Sequence, residues 1–403
     1  MVLQLAAALA PAQEALLTAV QGDQSYRTRT AADYRPSERL KAGPVYFDIG
    51  LNDSQEWNDN IRYTNSNPQS DFIQRPLLNV KAVWPAMKDS TLSFGTGIGY
   101  EAYFDHSDLD QMLITPDSEL AWDIPVKDFV FTIYDRFLYS QDVISQPALS
   151  GTATYPRVEN TAGLRSRWMP AQYQFELGYA HYNFIAESST YDYLNRASEQ
   201  FFGRAAYRFA EATQAGLEAS GSLTTYEMSV QQNNQSVSVG PYLEWQLLAS
   251  LRLSLRGGCV AYFQDSSPSV PQSSTLTSYY LGLEADQQLT DHLHYHLSVT
   301  RDVQPGVNQG SDVTEQWNVA YSVAWAFRNN WTLTPSVTYN HGNPSSYGVN
   351  QTYDQVGLGA GVNWQMLRHL SVGLAYRYTT KTCDLATQDY NQNVVTLSGK
   401  YQF

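Results

Sequence analysis

Apolar and polar residues alternate in short runs from residue 43 to the end of the chain. This period of two predicts β-strands, because successive side chains of a strand point to opposite faces of the sheet. In the run 312–327, Trp317 and Val319 share one face, and Asn318 lies on the other. About eighteen such runs follow one another, with sixteen as the alternative count, and no linker separates them. The sequence predicts an all-β protein with one domain over 43–403.

The connections between the runs alternate in length. Short ones such as RNN at 328–330 alternate with long polar ones such as GNPSSYGVNQ at 342–351. This pattern predicts an antiparallel up-and-down barrel with tight turns at one rim, which is the form of transmembrane barrels of the outer membrane. A strand in lipid cannot leave its backbone groups unpaired, so the last run, 389–403, should pair with the first, 43–58.

Composition excludes other classes. Asp, Glu, Lys and Arg make up only 16 % of the residues, yet 29 residues are Tyr, so the chain is polar without being highly charged. Disordered chains are poor in aromatic residues. A helical membrane protein needs about 18 consecutive apolar residues, and no such stretch occurs. The two cysteines, Cys259 and Cys383, are too few for a disulfide framework and too far apart for a metal site.

Residues 1–42 are predicted to be a lead-in that lies on the periplasmic side. The apolar stretch 2–10 and the small residues ALA at 8–10 are typical of a signal peptide, but no positively charged segment precedes them. Residues 1–20 are therefore interpreted as a truncated signal peptide, with a short amphipathic helix as the alternative.

Seven of the nine tryptophans lie on the apolar face within a few residues of a short turn. Such a ring at one height is typical of the aromatic belt where a barrel meets the lipid headgroups. The alternative is that tryptophans of a soluble core fall there by chance. The predicted belt consists of Trp84, Trp122, Trp168, Trp245, Trp325, Trp331 and Trp364.

The polar face should line a lumen, since eighteen strands enclose a wide interior. Six arginines from three runs form a predicted basic patch, namely Arg165, Arg167, Arg204, Arg208, Arg252 and Arg256. Further predicted lumenal charges are Arg75, Lys81, Glu101, Glu119, Asp123, Arg136, Glu176, Glu218, Glu244, Glu284, Asp286, Arg377 and Lys400. These charges either pair with one another and keep the wall hydrated, or the basic patch favours anionic solutes.

Several tyrosines share the lumenal face, and their rings could stack on sugars or could fill and hydrogen-bond within the wall. They are Tyr103, Tyr134, Tyr182, Tyr226, Tyr242, Tyr262 and Tyr280. No inserted domain could act as a plug, and 141–156 is the best candidate for a loop that folds inward.

Two other patterns carry little weight. His292, His294 and His296 share a face at a spacing that could hold a divalent metal, but they are better interpreted as polar wall residues. The glycine-rich stretches 95–101 and 357–364 do not open a helix after a parallel strand, so a phosphate-binding loop is not indicated. No catalytic constellation stands out, and we expect no enzyme activity, no metal and no cofactor.

The chain ends on the same alternation. Leu397, Gly399, Tyr401 and Phe403 resemble the signal that outer-membrane barrels present to the barrel-assembly machinery.

The stretch 45–85, with Asp59-Asn60, Ser70-Asp71 and Pro76, resembles the opening of a family of outer-membrane β-barrel porins. FRNNWTLTPSVTYNH and the ending VVTLSGKYQF resemble the closing strands of that family. The resemblance implies passage for a secreted exopolysaccharide, with a periplasmic polysaccharide export protein as partner. A general or sugar-uptake porin and a structural barrel with a closed lumen are the alternatives. The other expected partner is the outer-membrane lipid bilayer, and no nucleic acid is expected.

Overall fold

The computed structural model describes residues 40–87, 90–141, 155–210, 212–268, 273–306, 311–346 and 352–403. The strands are β1 (Leu40–Ala42), β2 (Val45–Asn58), β3 (Asp71–Met87), β4 (Ser90–Tyr103), β5 (Gln111–Ile114), β6 (Glu119–Val126), β7 (Phe129–Ser140), β8 (Arg157–Trp168), β9 (Tyr173–Ala186), β10 (Arg196–Ala210), β11 (Thr213–Tyr226), β12 (Asn234–Leu248), β13 (Leu251–Gln264), β14 (Ser274–Thr290), β15 (Leu293–Pro305), β16 (Ser311–Arg328), β17 (Trp331–Ser346), β18 (Tyr353–Leu367), β19 (Leu370–Cys383) and β20 (Tyr390–Gln402). Three short 3₁₀ helices are Ser107–Leu109, Asp192–Leu194 and Ala386–Gln388. Among these residues, no helix has both the length and the apolar composition that a membrane crossing requires.

The sheet closes on itself into a barrel. Of the 20 strands, β1 only forms a hairpin with β2, and β5 and β6 share one position beside β4, which leaves eighteen positions. Neighbouring positions pair antiparallel, and β20 returns to pair with β2, from Gly50 opposite Gln402 to Asn58 opposite Val394. The predicted barrel and the predicted pairing of the last run with the first are therefore confirmed.

The strand bounds follow the sequence alternation closely, and the main difference is at the fourth barrel position. The alternation of the sequence predicts one strand over 113–124, but the structure divides this stretch into β5 and β6. The two are separated by a turn in which the backbone N–H of Ser118 donates to the carbonyl of Thr115 at 3.0 Å. Pro116 lies in this turn and has no N–H to donate to a neighbouring strand. Beside this turn, the Thr115 hydroxyl accepts a hydrogen bond from the backbone N–H of Gly97 on β4 at 3.0 Å.

The two faces of the wall differ in chemistry. On β9, Glu176 is 3 % exposed, whereas the next residue, Leu177, is 69 % exposed. Large apolar side chains are exposed on the outer face in most strands, and polar side chains are shielded on the inner face. This is the pattern of a transmembrane barrel, in which lipid solvates the outer face and every backbone group is paired within the sheet.

Two predictions concern parts of the chain that the structure does not cover. The signal peptide interpreted at 1–20 lies outside the described residues. Of the candidate inward loop 141–156, only Gln141, Tyr155 and Pro156 are described.

Candidate functional site in the barrel lumen

Charged side chains of alternating sign cross the inner wall from β8 to β11. Arg204 on β10 lies directly opposite Glu176 on β9 and Glu218 on β11. The Arg204 guanidinium is 3.0 Å from the Glu218 carboxylate, and Arg165 on β8 is 2.6 Å from Glu176. Arg167 also lies opposite Glu176. We call these five side chains the lumenal charge row.

Burial explains why the signs alternate. Arg165, Glu176 and Arg204 are all shielded from solvent. A buried charge without a partner costs several kcal/mol, and a neighbour of opposite charge offsets much of that cost. Since the register places Arg opposite Glu on adjacent strands, the geometry fits the interpretation that the lumenal charges pair with one another.

Beyond Glu218, the row meets an aromatic side chain that spans two strands. Gly240 on β12 lies opposite Glu218, and Gly258 on β13 lies opposite Tyr280 on β14. The Tyr280 ring lies against Gly258 and its hydroxyl lies against Gly240, so the hydroxyl is directed toward Glu218. A Cβ at position 240 would lie 2.0 Å from the carbonyl oxygen of Gly257, so the close approach of β12 to β13 requires glycine.

The remaining arginines of the predicted basic patch lie on the same part of the wall. Arg256 is 3.9 Å from Glu218, and Arg252 is 3.8 Å from Glu244. Arg208 is half-buried, four residues from Arg204 along β10. The structure therefore brings the six predicted arginines together over β8 to β13, with carboxylates between them.

A separate ion-pair group lies on β2, β3 and β4, next to the closing seam where β2 pairs with β20. Arg75 is 2.7 Å from Glu56 on β2 and 2.6 Å from Glu101 on β4. Glu56 is absent from the predicted set, although the alternation of β2 places it on the same face as Asn58 and could have identified it. Two further pairs absent from the predicted set are Arg157–Glu159 at 2.8 Å and Arg301–Glu315 at 2.7 Å.

The other predicted lumenal charges are more exposed or lie in smaller groups. Arg136 is 3.6 Å from Glu119, and the Thr132 hydroxyl donates to Asp123 at 2.5 Å. Lys81 and Lys400 are exposed, and Glu284 and Arg377 are half-buried.

Two of the three histidines at the short-turn end lie beside an aspartate. Nδ1 of His296 is 3.0 Å from the Asp286 carboxylate, and Nε2 of His294 is 3.9 Å from it. In the part of the chain that the structure describes, no group of three or more metal-ligating side chains is present.

Apolar side chains from two separate parts of the wall pack together at the long-loop end. Tyr63 lies between β2 and β3 and Tyr390 begins β20, whereas Tyr155 precedes β8 and Phe184 lies near the end of β9. Along the wall, β3, β4, β5–β6 and β7 separate these two groups, so the side chains meet across the interior. We call this group the mouth cluster, and its buried members are Tyr63, Tyr155, Tyr182, Phe184, Ala186, Tyr193, Leu194 and Tyr390.

Most of the predicted lumenal tyrosines are occupied by contacts within the protein. The Tyr182 hydroxyl donates to Glu159 at 2.9 Å, and the Tyr262 hydroxyl donates to the carbonyl of Val303 at 2.8 Å. These contacts support the interpretation that the rings fill the wall. Tyr103 is half-buried, and the buried tyrosines are Tyr134, Tyr182, Tyr226, Tyr242, Tyr262 and Tyr280.

The seven tryptophans of the predicted belt lie close to the ends of their strands at the short turns. Trp331 and Trp364 stack with ring centroids 5.2 Å apart. Trp122 does not show the contact with headgroups that is expected of the belt. Its Nε1 is shielded and has no hydrogen-bond partner among the described residues. The exposed members are Trp84, Trp168, Trp245 and Trp325.

The residues of the predicted assembly signal line the closing seam. Leu397, Tyr401 and Phe403 are exposed on the outer face, and Gly399 faces open space. The rings of Tyr401 and Phe403 meet edge to face, with centroids 5.0 Å apart. Recognition by the assembly machinery stays a prediction.

Several solved structures share this architecture. They include OpdQ of Pseudomonas aeruginosa (TM-score 0.52, 10 % identity, 90 % of this chain and 100 % of that one). OccAB3 of Acinetobacter baumannii is similar (TM-score 0.51, 9 % identity, 90 % and 100 %), as is a BenF-like porin of Pseudomonas fluorescens (TM-score 0.50, 12 % identity, 90 % and 99 %). At these identities the similarity concerns the fold alone. No curated protein sequence matches the chain.

A family described as "Putative beta-barrel porin 2" matches residues 41–403. This match spans the whole barrel, and the closed sheet with its apolar outer face agrees with it. The chain therefore belongs to this family of β-barrel porins of the Gram-negative outer membrane.

Proposed function

We propose that the protein is a passive channel that carries small hydrophilic solutes across the outer membrane. The observation that carries the proposal is the inner face of the closed barrel, where charged and polar side chains replace the apolar ones of the outer face. A barrel of about eighteen strands is wide enough to hold water between its walls. A hydrated, charged wall lets small polar solutes pass without binding them tightly.

The long loops are proposed to face the cell exterior, and the short turns and the N-terminus to face the periplasm. In bacterial outer-membrane barrels, the periplasmic turns are short and the extracellular loops are longer. The tryptophans near the short turns would then form the belt at the periplasmic interface.

The channel is proposed to favour anions weakly. The lumenal charge row contains three arginines and two glutamates, and Arg252 and Arg256 lie close by on β13. An excess of fixed positive charge raises the local concentration of anions. Because most of these arginines have a carboxylate nearby, the preference should be small.

Passage of small solutes is preferred here over exopolysaccharide export, because the matched family is described by its porin character alone. Export, with a periplasmic export protein as partner, stays a prediction from the sequence resemblance. A structural barrel with a closed lumen would conduct no ions and is tested by the same experiment.

The experiment is planar-bilayer recording of the purified protein. Folding is first checked in detergent by heat-modifiable migration on gels, and a boiled sample serves as the control. We expect stepwise conductance from the folded protein only, and a small anion-selective reversal potential in a salt gradient. Folded protein that inserts and yields no conductance would overturn the proposed function.

A further inference from the structure

The mouth cluster contains a tyrosine in an unusual backbone conformation. Tyr63 has φ of 53°, in the left-handed region that residues with a Cβ seldom adopt. Such a conformation persists only where surrounding contacts fix it, and these sites are often functional. Tyr63 is buried, and its ring meets that of Tyr390 edge to face at 5.3 Å.

Asn60 supplies the contacts that fix this conformation. Its side-chain Nδ2 donates to the carbonyls of Thr64 at 2.8 Å and Asn391 at 2.9 Å, and its Oδ1 accepts the backbone N–H of Thr64 at 2.9 Å. The Gln392 side chain donates to the carbonyl of Asn60 at 3.0 Å. The turn that carries Tyr63 is thus fastened to β20 and directs a large ring inward.

Side chains from the opposite part of the wall complete the contact. Tyr155 stacks on Tyr191, with centroids 4.5 Å apart, and both belong to the segments around β8 and β9. The guanidinium carbon of Arg196 lies 4.2 Å from the ring centroid of Phe184. The rings that meet across the interior are uncharged, whereas the lumenal charge row lies on the strand walls.

We propose that the mouth cluster is the size-limiting constriction of the channel, with Tyr63 as its principal side chain, and that it acts separately from the charge selectivity of the lumenal charge row. The inference rests on the proposed function. The Tyr63 ring carries no charge, so its removal changes the cross-section that is open to the solute and leaves the fixed charges of the wall in place. Fixed charges on the wall bias ions by sign and leave the narrowest opening unchanged.

Substitutions separate the two roles. Tyr63→Ala should raise the single-channel conductance by about half or more, because the opening widens where it is narrowest. In liposome swelling with neutral mono-, di-, tri- and tetrasaccharides, it should also admit larger sugars than the wild type. Its reversal potential in a salt gradient should stay unchanged. Arg204→Gln should show the opposite pattern. Its reversal potential should shift toward cations, and it should admit the same sugars as the wild type.

Two variants serve as controls for the loss of a tyrosine ring. Tyr63→Phe keeps the ring and should behave as the wild type. Tyr100→Ala removes an exposed ring from the outer face and should leave conductance and sugar series unchanged. Heat-modifiable migration shows that each variant is folded before it is recorded.

A reversible block provides a second measurement. In a Cys259→Ser, Cys383→Ser background, Tyr63→Cys treated with a bulky methanethiosulfonate should lose conductance and regain it with reductant. Tyr100→Cys treated in the same way should not change.

The outcomes distinguish the two proposals. If the wild type and Tyr63→Ala both insert and neither conducts, the proposed function is wrong. If both conduct with the same conductance and the same sugar series, the channel function stands and the constriction is not at Tyr63. If Tyr63→Ala conducts while the wild type does not, the proposed passive-channel function of the wild type is wrong, and the location of the narrowest point at Tyr63 stands, since removal of the ring then opens the passage.

Discussion

Tyr280 on β14 reaches over Gly258 on β13 to Gly240 on β12, the residue directly opposite Glu218 on β11. The contact is possible because Gly240 and Gly258 leave room for the ring on the inner wall. It joins the charged strands β8 to β11 to the strands that follow, so that seven neighbouring strands share one continuous line of inner contacts.

The first prediction concerns Gly240. A Cβ there would meet backbone atoms of β13 as well as the Tyr280 hydroxyl, so neither strand can yield by a side-chain rotation alone. We expect Gly240→Ala to lower the free energy of unfolding by about 1–3 kcal/mol, the usual cost of overpacking. The measurement is urea unfolding in detergent, followed by heat-modifiable migration.

Gly399 provides the matched control, because a Cβ at this strand position would meet nothing within 4 Å. Gly399→Ala should leave the stability unchanged. Equal stability losses in both variants would show that the close approach at Gly240 does not matter.

The second prediction compares two arginines of β10. Arg204→Gln leaves buried Glu176 and Glu218 facing a neutral side chain, and breaking a buried pair costs about 3–5 kcal/mol. We expect Arg204→Gln to lower the unfolding free energy and to shift the reversal potential toward cations.

Arg208→Gln removes the same charge from the same strand, where the side chain is half-buried and lies opposite Gln214. It should shift the reversal potential in the same direction with little change in stability. If both variants lowered the unfolding free energy by similar amounts, the proposed contribution of the lumenal charge row to the stability of the barrel wall would be contradicted.

The third prediction tests the depth of the outer face in the bilayer. Leu358 is exposed near the middle of β18, six residues from Trp364, and Leu370 begins β19 beside the short turn. An arginine on the lipid face costs about 2–4 kcal/mol at the bilayer midplane and about 0–1 kcal/mol near the interfaces. Leu358→Arg should therefore destabilise the barrel in lipid vesicles much more than Leu370→Arg. Equal effects would show that the short turns do not lie at an interface.

The barrel could be predicted from the sequence because its period of two is a local property. The pairing of β2 with β20 was predicted from the requirement that lipid-exposed strands leave no unpaired edge. In the structure this pairing begins with Gly50 opposite Gln402. Alternation likewise placed Arg204 and Glu218 on one face of neighbouring strands.

Contacts within the lumen depend on strand register and on segments that are far apart in the chain. They could therefore not be predicted from the local alternation. The inward turn at Tyr63 depends on Asn60 bonding to Asn391, which is 331 residues away in the chain. The space above Gly240 becomes apparent only when β12, β13 and β14 are aligned. The division between β5 and β6 could have been suspected from Pro116, which interrupts a strand-like run.

The last prediction concerns the closing seam. The backbone N–H of Phe403 donates to the carbonyl of Ile49 at 2.9 Å, so a substitution of the side chain keeps this bond while removing the ring that packs on Tyr401. If the aromatic pair guides assembly, Phe403→Ala should lower the yield of folded barrel in the outer membrane and leave the conductance of the folded fraction unchanged. Phe263→Ala removes an equally exposed ring from β13, away from the seam, and should assemble as the wild type does. The ratio of heat-modifiable to unfolded protein in membrane fractions gives the yield. Equal yields for the two variants would show that the Phe403 ring contributes no more to assembly than other lipid-facing aromatics, whereas a loss confined to Phe403→Ala would locate the signal at the strand that closes the barrel.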